Sequence, residues 1–351
     1  MPSFTVFKGS KEGKIVESTT TKPDLTDDQV LIKVTASGLC GTDEHYKHAD
    51  MGLGHEGVGV VAEMGPNVKN LKKGDRVGWG YVHWSCSACD MCLSGRDQYC
   101  AKVQRYGEAN FDQGSFASHA VWNESHIFRI PDNISDVEAA PLMCGGATVW
   151  TALHSYNIKP TDRVGVMGIG GLGHLAIQFA AKMGCEVVVF SSSDSKKDEA
   201  MKLGASEFIV TKNKKELDIS KKINVLVVTT SFNPDWSVIL PVLEPQSVIF
   251  PLTVDAGDFA IPQIPLIVGG HTIQGSIVAS RPVHRSMVSF ASHHGIKPIT
   301  MEFPLTVDGI TKAMDTLREG NMKYRGVLIP HHLHRLLPSV TKTPPNHHSI
   351  L

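Results

Sequence analysis

From Asp162 onward, apolar runs of strand length alternate with stretches of helical periodicity. A strand-like DRVGVMG leads into GIGGLGHLAIQFAAKMG, where apolar residues recur at the spacing of a helix face: Leu172, Leu175, Ala176, Phe179, Ala180 and Met183. Further apolar runs follow at 185–190, 224–230, 247–252 and 272–278, with the amphipathic SKKDEAMKLGA between the first two. Apolar strands that alternate with helices predict an α/β fold, in which helices cover both faces of a parallel sheet.

The first part of the chain has a different texture. Residues 1–144 contain short β-rich segments, such as VLIKVTASG and EGVGVVAEMG, broken by glycine and proline. We therefore predict a β-rich domain over 1–144, an α/β domain over 145–290 and a return to the first domain over 291–330. The last 21 residues hold five histidines and three prolines without a periodic pattern. Segment 331–351 is expected to be a flexible tail, and a metal-binding tail is the alternative.

Composition narrows the class of protein. The 351 residues are 42% hydrophobic and 20% charged, which is typical of a globular protein of two domains and excludes a disordered chain. The 34 basic and 35 acidic residues give a net charge of −1, so no nucleic acid is expected as a partner. The sequence contains no apolar run of about twenty residues, so no membrane span is predicted. The N-terminus does not resemble a secretory signal.

A glycine-rich turn stands between the first strand and the first helix of the α/β region. Gly168, Gly170 and Gly173 form the pattern G-x-G-x-x-G, and Gly171 and Leu172 complete the predicted cofactor-binding turn. The first glycine permits a tight turn, the second lets a pyrophosphate approach the backbone, and the third lets helix and strand pack closely. The phosphates are expected to lie against the helix N-terminus.

The end of the second apolar strand indicates which nicotinamide dinucleotide binds. NAD-dependent enzymes place a carboxylate there, about twenty residues beyond the glycines, to bind the ribose hydroxyls. This chain has Ser191, Ser192 and Ser193, with Lys196 following. Hydroxyl and ammonium groups can hold a 2′-phosphate, so the sequence favours NADP(H). The nearby carboxylate of Asp194 keeps NAD as the alternative.

Four of the seven cysteines are crowded into one short segment: Cys86, Cys89, Cys92 and Cys100. Four thiolates suit a closed tetrahedral zinc site. Such a site cross-links a loop that has too few apolar residues to fold alone. We predict a structural zinc there, and a disulfide framework or an iron–sulfur cluster is the alternative. Metal-bound thiolates favour a reducing compartment, so a cytoplasmic protein is expected.

A second constellation is spread more widely along the chain. Cys40 lies in GLCGTDEHY, Cys144 lies in PLMCGGATVW, and GHEG between them supplies His55 and Glu56. Two cysteines and a histidine with an open fourth position are a ligand set typical of catalytic zinc. The spacing alone leaves open whether residues 104 positions apart converge. Cys185, at the start of an apolar strand, is expected to be a small core residue.

Together, the motifs resemble those of the zinc-dependent medium-chain alcohol dehydrogenases, most closely the cinnamyl-alcohol-dehydrogenase-like branch. The matching motifs are GLCGTDEH, GHEGVGVV, the four-cysteine segment, CGGATVW, GIGGLGHLAIQFAAKMG and the serine loop 191–193, in order, from about residue 10 to residue 330. The resemblance implies a GroES-like β-rich catalytic domain that the C-terminal segment rejoins, with a Rossmann domain, a doubly wound parallel sheet, inserted. It also implies two Zn²⁺ per chain and a homodimer joined through the Rossmann domains.

The resemblance implies a role for each matching residue around the metal. Cys40, His55 and Cys144 take the catalytic-zinc positions. Glu56 matches a glutamate that can act as a transient ligand, and Asp43 matches the carboxylate that orients the ligand histidine.

Other residues match positions that handle the substrate proton and the cofactor. Thr42 matches the hydroxyl that hydrogen-bonds the substrate oxygen, and His45 matches the imidazole that passes the proton on towards solvent. Thr148 and Arg325 match residues at the nicotinamide and pyrophosphate ends of the cofactor. The positions that read the 2′-phosphate are matched by Ser191, Ser192 and Lys196.

The implied activity is hydride transfer between NADP(H) and a primary alcohol or aldehyde of the cinnamyl, benzyl or medium-chain type, with zinc as Lewis acid and aldehyde reduction as the cellular direction. A polyol dehydrogenase typically has glutamate where this chain has Cys144, and usually binds NAD. A conjugated-alkene reductase often lacks the hydroxyl or imidazole that Thr42 and His45 supply. A zinc-ribbon module without enzymatic activity would leave the glycine motif unexplained.

The chain departs from the family pattern at two places. Only 14 residues separate Cys40 from His55, fewer than usual in this branch, and this loop lines the substrate entrance in relatives. The shorter loop indicates a wider or more exposed pocket. The histidine-rich tail is the second departure. The apolar final strand around 273–278 is the expected dimer edge, since an unpaired edge invites pairing.

Overall fold

The computed structural model describes residues 1–254 and 257–330. Within these ranges the strands are β1 Ser3–Lys8, β2 Val16–Thr21, β3 Gln29–Leu39, β4 Gly57–Met64, β5 Arg76–Trp79, β6 Val82–Trp84, β7 Gln104–Arg105, β8 His119–Asn123, β9 Phe128–Arg129, β10 Arg163–Met167, β11 Glu186–Ser191, β12 Glu207–Val210, β13 Ile223–Val228, β14 Leu243–Pro251, β15 Thr272–Ile273, β16 Thr300–Pro304 and β17 Arg325–Ile329.

The α-helices in the same ranges are α1 Gly41–His45, α2 Asp90–Leu93, α3 Asp136–Pro141, α4 Ala147–His154, α5 Gly173–Met183, α6 Lys197–Leu203, α7 Trp236–Ile239, α8 Gln263–Gly269, α9 Arg281–His294 and α10 Val307–Arg318. A π-helical turn, Leu142–Gly146, joins α3 to α4. No helix of the described chain is both long enough and apolar enough to cross a lipid bilayer.

The N-terminal part and the end of the chain build one seven-stranded sheet, in the order β16-β17-β3-β4-β5-β9, with β8 also paired to β3. Strand β3 is long enough to share one edge between two partners. Its first half pairs with β8, and Ser37–Leu39 pair antiparallel with β17. This register places Arg325, which precedes the paired Gly326, beside the point where β3 ends and Cys40 follows.

The middle of the chain builds a six-stranded parallel sheet in the order β12-β11-β10-β13-β14-β15. Strand β10 is buried along its whole length, because helices cover both faces of the sheet. The chain moves outward from β10 in one direction and from β13 in the other, so a crevice opens at the carboxyl ends of these neighbours. The turn that begins at Gly168 follows β10 directly into this crevice. The predicted doubly wound sheet is confirmed.

The two sheets share a core. One continuous helical segment, made of α3, the π-helical turn and α4, connects the two sheets. Its buried side chains pack with α5 and α9 in one hydrophobic cluster, which also includes Ala36, Val58 and Val327 of the first sheet. Burial of this kind stabilises by about 25 cal/mol per Å² of apolar surface. Residues 136–154 therefore connect the two sheets through a shared hydrophobic core.

One predicted strand is largely wrong. The apolar run 272–278 was expected to be a full strand, but only Thr272–Ile273 pairs, and the chain then turns into α9. The boundaries expected at residues 144, 290 and 330 stay a prediction, although strand pairing does place 300–329 in the first sheet. The histidine-rich segment 331–351 lies outside the described residues.

Candidate active site and metal centres

Cys40, His55, Glu56 and Cys144 converge on one point. One ligand atom from each of these side chains lies within 4.8 Å of every other. Cys40 stands at the N-terminus of α1, directly after β3, and His55 and Glu56 stand directly before β4, the neighbour of β3. Cys144 comes from the π-helical turn, a distortion that often occurs at functional sites. The convergence that the spacing left open is therefore present.

Asp43 fixes two of these ligands. Its Oδ1 lies 3.0 Å from Nδ1 of His55, and its Oδ2 accepts a hydrogen bond from the Cys40 N–H at 2.9 Å. Burial disfavours a charged imidazole, but the Asp43 carboxylate outweighs it and raises the pKa of His55 above its ordinary value. With Nδ1 taken by Asp43, Nε2 is buried and has no hydrogen-bond partner among the described residues. A buried polar atom without a partner is costly, and a metal ion between the two thiols would satisfy it.

Glu56 is paired across the whole length of the chain with Arg325. The carboxylate Oε1 accepts from Nη2 of Arg325, and both side chains are buried. Burial raises the pKa of Glu56 to about 7, and the Arg325 guanidinium pulls it the other way. Oε2 has no hydrogen-bond partner in the described part of the chain, and one carboxylate oxygen of Glu56 lies within 4.8 Å of the other three ligand atoms. The resemblance implied a cofactor contact for Arg325, and the structure adds a contact with Glu56.

Thr42 and His45 both lie on α1. The Thr42 hydroxyl is 3.6 Å from the Cys40 sulfur, so it stands next to the ligand cluster. His45 is exposed at the last residue of the helix. One short helix therefore places a hydroxyl inside the site and an imidazole at the solvent surface. Thr148, in the first turn of α4, is half-buried.

Two tyrosines complete the surroundings of the histidine ligand, and no sequence motif marked them. The Tyr106 ring lies 4.6 Å from the His55 ring, and its hydroxyl accepts from the Gly54 N–H at 3.1 Å. Tyr81 meets the His55 ring edge-on at 5.7 Å. Burial raises the pKa of Tyr81 to about 12. Both phenols are neutral walls of the site, and only their aromatic character could have suggested them.

The second cysteine cluster is compact. The Sγ atoms of Cys86, Cys89, Cys92 and Cys100 also lie within 4.8 Å of one another. Three sulfur–sulfur distances are 3.5, 3.6 and 3.9 Å. A tetrahedral zinc with Zn–S bonds of about 2.3 Å needs sulfur atoms about 3.8 Å apart. The four thiols therefore fit a closed zinc site without rearrangement. All seven cysteines are free of disulfide bonds.

The glycine turn has the geometry of a phosphate cradle. Gly168 has φ +94°, a conformation that favours glycine, and a Cβ on Gly173 would overlap the Gly168 carbonyl oxygen. Gly170 faces open space, where a Cβ would meet no heavy atom within 4 Å. A Cβ on Gly171 would lie 3.1 Å from the Arg325 side chain. Leu172 is the N-cap of α5, so the free N–H groups of this helix face the crevice.

The serine loop ends β11 beside this turn. Ser191 is half-buried, Ser192 is exposed, and Lys196 donates to the Ile169 carbonyl at 2.9 Å. The Lys196 ammonium also lies 4.8 Å from the centre of the Tyr324 ring. Lys196 is thereby held at the edge of the glycine turn. Asp194 is exposed on the same loop.

The C-terminal segment that rejoins the first sheet is connected to the glycine turn by hydrogen bonds through His174. The Ile299 N–H donates to Nε2 of His174 at 3.1 Å, so the ring donates from Nδ1 to the Gly170 carbonyl at 3.0 Å. The Tyr324 ring stacks on the same imidazole at 5.0 Å. Burial lowers the pKa of His174 to about 4. Segment 299–325 therefore connects the cradle to the metal-ligand cluster.

Comparison with known proteins agrees with this geometry. Residues 26–132 match the family described as alcohol dehydrogenase GroES-like domain, and residues 171–293 match the zinc-binding dehydrogenase family. Cinnamyl alcohol dehydrogenase 7 from Arabidopsis thaliana is 36% identical over 315 residues, which cover 85% of this chain and 87% of that protein.

Two solved structures share the whole fold. The structure of a cinnamyl alcohol dehydrogenase from Sorghum bicolor has a TM-score of 0.85 and 28% identity, covering 93% of this chain and 98% of that one. A cinnamyl alcohol dehydrogenase from Helicobacter pylori, complexed with NADP(H), has a TM-score of 0.83 and 26% identity, covering 93% and 97%.

Proposed function

The chain belongs to the zinc-dependent medium-chain alcohol dehydrogenases, in their cinnamyl-alcohol-dehydrogenase-like branch, and we propose that it is an NADP(H)-dependent enzyme that reduces aldehydes in the cell. Its substrates are cinnamyl, benzyl or medium-chain aldehydes and the corresponding alcohols. The single observation that carries the metal-dependent chemistry is the buried Nε2 of His55, which has no hydrogen-bond partner among the described residues and belongs to a side chain clustered with the thiols of Cys40 and Cys144.

The residues present fit two Zn²⁺ per chain. Cys40, His55 and Cys144 would hold the catalytic ion, and the four cysteines of segment 86–100 would hold the structural one. When bound, zinc supplies Lewis acidity at the substrate oxygen, and NADP(H) supplies or accepts the hydride. Asp43 keeps the ligand imidazole in the tautomer that leaves Nε2 free for the metal.

Helix α1 supplies the route for the proton. The Thr42 hydroxyl, beside the ligand cluster, is placed to hydrogen-bond the substrate oxygen, and the exposed His45 one turn later is placed to exchange the proton with solvent. The half-buried phenol of Tyr81 and the buried Tyr106 exclude water from the other side of His55. Excluding water strengthens the electrostatic interactions inside such a site.

NADP(H) is favoured by the charge and chemistry of the serine loop. Ser191 and Ser192 offer hydroxyl donors at the end of β11, and Lys196 adds a cation that its hydrogen bond to Ile169 holds at the cofactor crevice. The Helicobacter pylori relative, which shares the fold, was solved with NADP(H). The open space over Gly170 and the N-terminus of α5 suit the pyrophosphate, with Arg325 alongside.

The proposed homodimer forms through the edge of the parallel sheet at β15. Helix α8 leads into this edge, and three of its apolar side chains are strongly exposed: Ile264 at 75%, Ile267 at 66% and Val268 at 82%. Exposed apolar groups next to an unpaired strand favour association with a second copy. Free thiols throughout the described chain support a cytoplasmic location.

A steady-state assay tests the proposal. Zinc-replete protein is offered cinnamaldehyde, benzaldehyde, hexanal and fructose, with NADPH and NADH separately, while absorbance is followed at 340 nm. We expect rapid NADPH oxidation with the aldehydes and cinnamyl alcohol as a product. Reduction of fructose alone, or of a conjugated C=C bond, would show that the proposed substrate class is wrong. The assignment of the fold would be unaffected. Cys40→Ser, with full activity and two zincs retained, would refute the catalytic-metal assignment.

A further inference from the structure

The four-cysteine segment 86–100, here called the zinc lobe, holds the first residue of α9. The carboxylate of Asp97, which is buried inside the lobe, accepts from the Arg281 backbone N–H at 3.2 Å and from its Nε at 3.2 Å. Nη1 of Arg281 also donates to the Ser87 hydroxyl at 3.1 Å. Because Arg281 opens α9, the lobe caps this 14-residue helix and neutralises its first side chain.

Helix α9 in turn packs against the turn that carries Cys144. His284, one turn after Arg281, is buried, stacks on the Phe128 ring at 3.8 Å and lies next to Gly80. Gly80 has no room for a side chain because a Cβ there would overlap the Met143 carbonyl oxygen, one residue before Cys144. Contacts thus run without a gap from Asp97 through α9 to the metal ligand.

A second contact fixes the same helix at Ser286, two residues after His284. The Trp150 indole N–H donates to the Ser286 hydroxyl at 3.2 Å, and Trp150 belongs to α4, the continuation of the π-helical turn. The segment that enters α9 is itself strained. Val278 is buried with φ +36°, a conformation that β-branched residues rarely adopt, and such strain persists only where the surroundings impose it. Three residues later, the bonds of Arg281 to Asp97 anchor the chain to the lobe.

We propose that Asp97 and Arg281 are positioning residues of the catalytic centre, through which the zinc lobe fixes α9 and hence the π-helical turn that carries Cys144. The lobe then does more than stabilise its own loop. The kinetic test of this inference rests on the proposed function, because it needs the aldehyde-reducing activity. The hydrogen-exchange test does not depend on that activity.

The test compares Asp97→Asn, Arg281→Met and the double variant in zinc-replete protein. Each single variant is expected to lower kcat for aldehyde reduction about tenfold, and the double variant about as much as either alone, because neighbours that act as a unit are not additive. KM for NADPH is expected to change little. Hydrogen exchange of amides 142–146 is expected to rise together with that of 278–284. Arg281→Lys, which keeps the charge, is expected to lie between the wild-type chain and Arg281→Met.

Ser292→Ala is the matched control. Ser292 joins α9 to Asn133 of the first domain by a hydrogen bond of 2.7 Å, at the helix end remote from the lobe. It is expected to leave kcat and the exchange of 142–146 unchanged. Asp97 and Arg281 variants that only lower the melting temperature, with normal kcat and normal protection at 142–146, would overturn the proposal. If the wild-type chain reduces no aldehyde, the proposed function fails, and exchange at 142–146 still decides the positioning role.

Discussion

The Asp43 carboxylate lies 3.0 Å from Nδ1 of His55, and both side chains are fully buried. The same carboxylate accepts the N–H of Cys40, so a single side chain orients a nitrogen ligand and fixes the backbone of a sulfur ligand. A buried carboxylate with these partners cannot be replaced by an amide without turning one acceptor into a donor.

Asp43→Asn is therefore expected to lower catalytic-zinc affinity by about 10- to 100-fold, the usual cost of losing a group that orients a ligand histidine. The measurement is zinc content after dialysis against graded chelator concentrations, with the zinc of the four-cysteine lobe as internal reference. Glu44→Gln is the control, because Glu44 follows Asp43 on α1 but pairs at the surface with Arg318. Equal zinc affinity in both variants would contradict the orienting role.

Gly170→Ala and Gly173→Ala are expected to fail in opposite ways. A methyl group at Gly170 meets only open space, so the fold should keep its stability while the Kd for NADPH rises at least about tenfold, since the methyl occupies the pyrophosphate position. A methyl group at Gly173 would overlap the Gly168 carbonyl, so the variant should lose about 1–3 kcal/mol of unfolding free energy. Urea unfolding and titration of NADPH fluorescence separate the two. Unchanged NADPH binding in Gly170→Ala would refute the cradle.

Ser191→Asp combined with Lys196→Ala is expected to shift the preference from NADPH towards NADH. The new carboxylate can accept the ribose hydroxyls and repels a 2′-phosphate, and the cation that Ile169 holds at the crevice is removed. The measurement is the ratio of kcat/KM for the two cofactors. Lys197→Ala, one residue along, is the control and should leave that ratio unchanged. An unchanged ratio in the double variant would refute the assignment of this loop.

Acid should destabilise the protein through buried histidines, of which His284 is the clearest. Burial lowers the pKa of His284 to about 3, against 6.5 in the unfolded chain. Between these values the unfolded chain binds a proton that the folded chain does not. The contribution of the neutral, buried His284 to the free energy of unfolding is therefore fully present above about pH 6.5. It is lost as the pH falls towards 3.

His284→Phe keeps a ring to stack on Phe128 and removes the titration. It is expected to reduce the slope of unfolding free energy against pH, between about pH 5.5 and 4, by about 1.4 kcal/mol per pH unit. Urea unfolding at several pH values measures the slope. His154→Phe is the control, because His154 is exposed and also stacks on an aromatic ring, that of Trp150. Equal slopes in the wild-type chain and His284→Phe would contradict a neutral buried imidazole.

The sequence predicted the parallel sheet well because its inner strands are uninterrupted apolar runs, which burial on both faces requires. It was wrong at 272–278 for a physical reason. Those apolar residues serve two environments: Ile273 lies at a sheet edge, 37% exposed, while Val278 and Ala279 are buried in the turn into α9. A run of apolar residues does not distinguish strand pairing from burial in a turn, and Asp97, which binds Arg281 at the start of α9, lies far away in the sequence.

The candidate metal ligands could be predicted from residue type, and their convergence could not. Cys40, His55 and Cys144 meet because β3 and β4 are neighbours and α3, which leads into the π-helical turn, packs against both strands. No local sequence pattern records these contacts. The pairing of Glu56 with Arg325 joins residues 269 positions apart. Only the resemblance pointed to Arg325, and it indicated a different partner.

Strand β17, one of the last parts of the described chain to be made, lies in the interior of the first sheet between β16 and β3. During synthesis all strands of the parallel sheet are present as soon as β15 has left the ribosome. The seven-stranded sheet, which contains the N-terminal strands, stays incomplete until β16 and β17 have been made. Until residues 325–329 emerge, Ser37–Leu39 of β3 lack the partner strand β17, and Glu56 lacks its ion-pair partner Arg325. The domain that starts first therefore finishes last, and a nascent chain stalled before Arg325 would hold a completed nucleotide fold attached to an unfinished metal site.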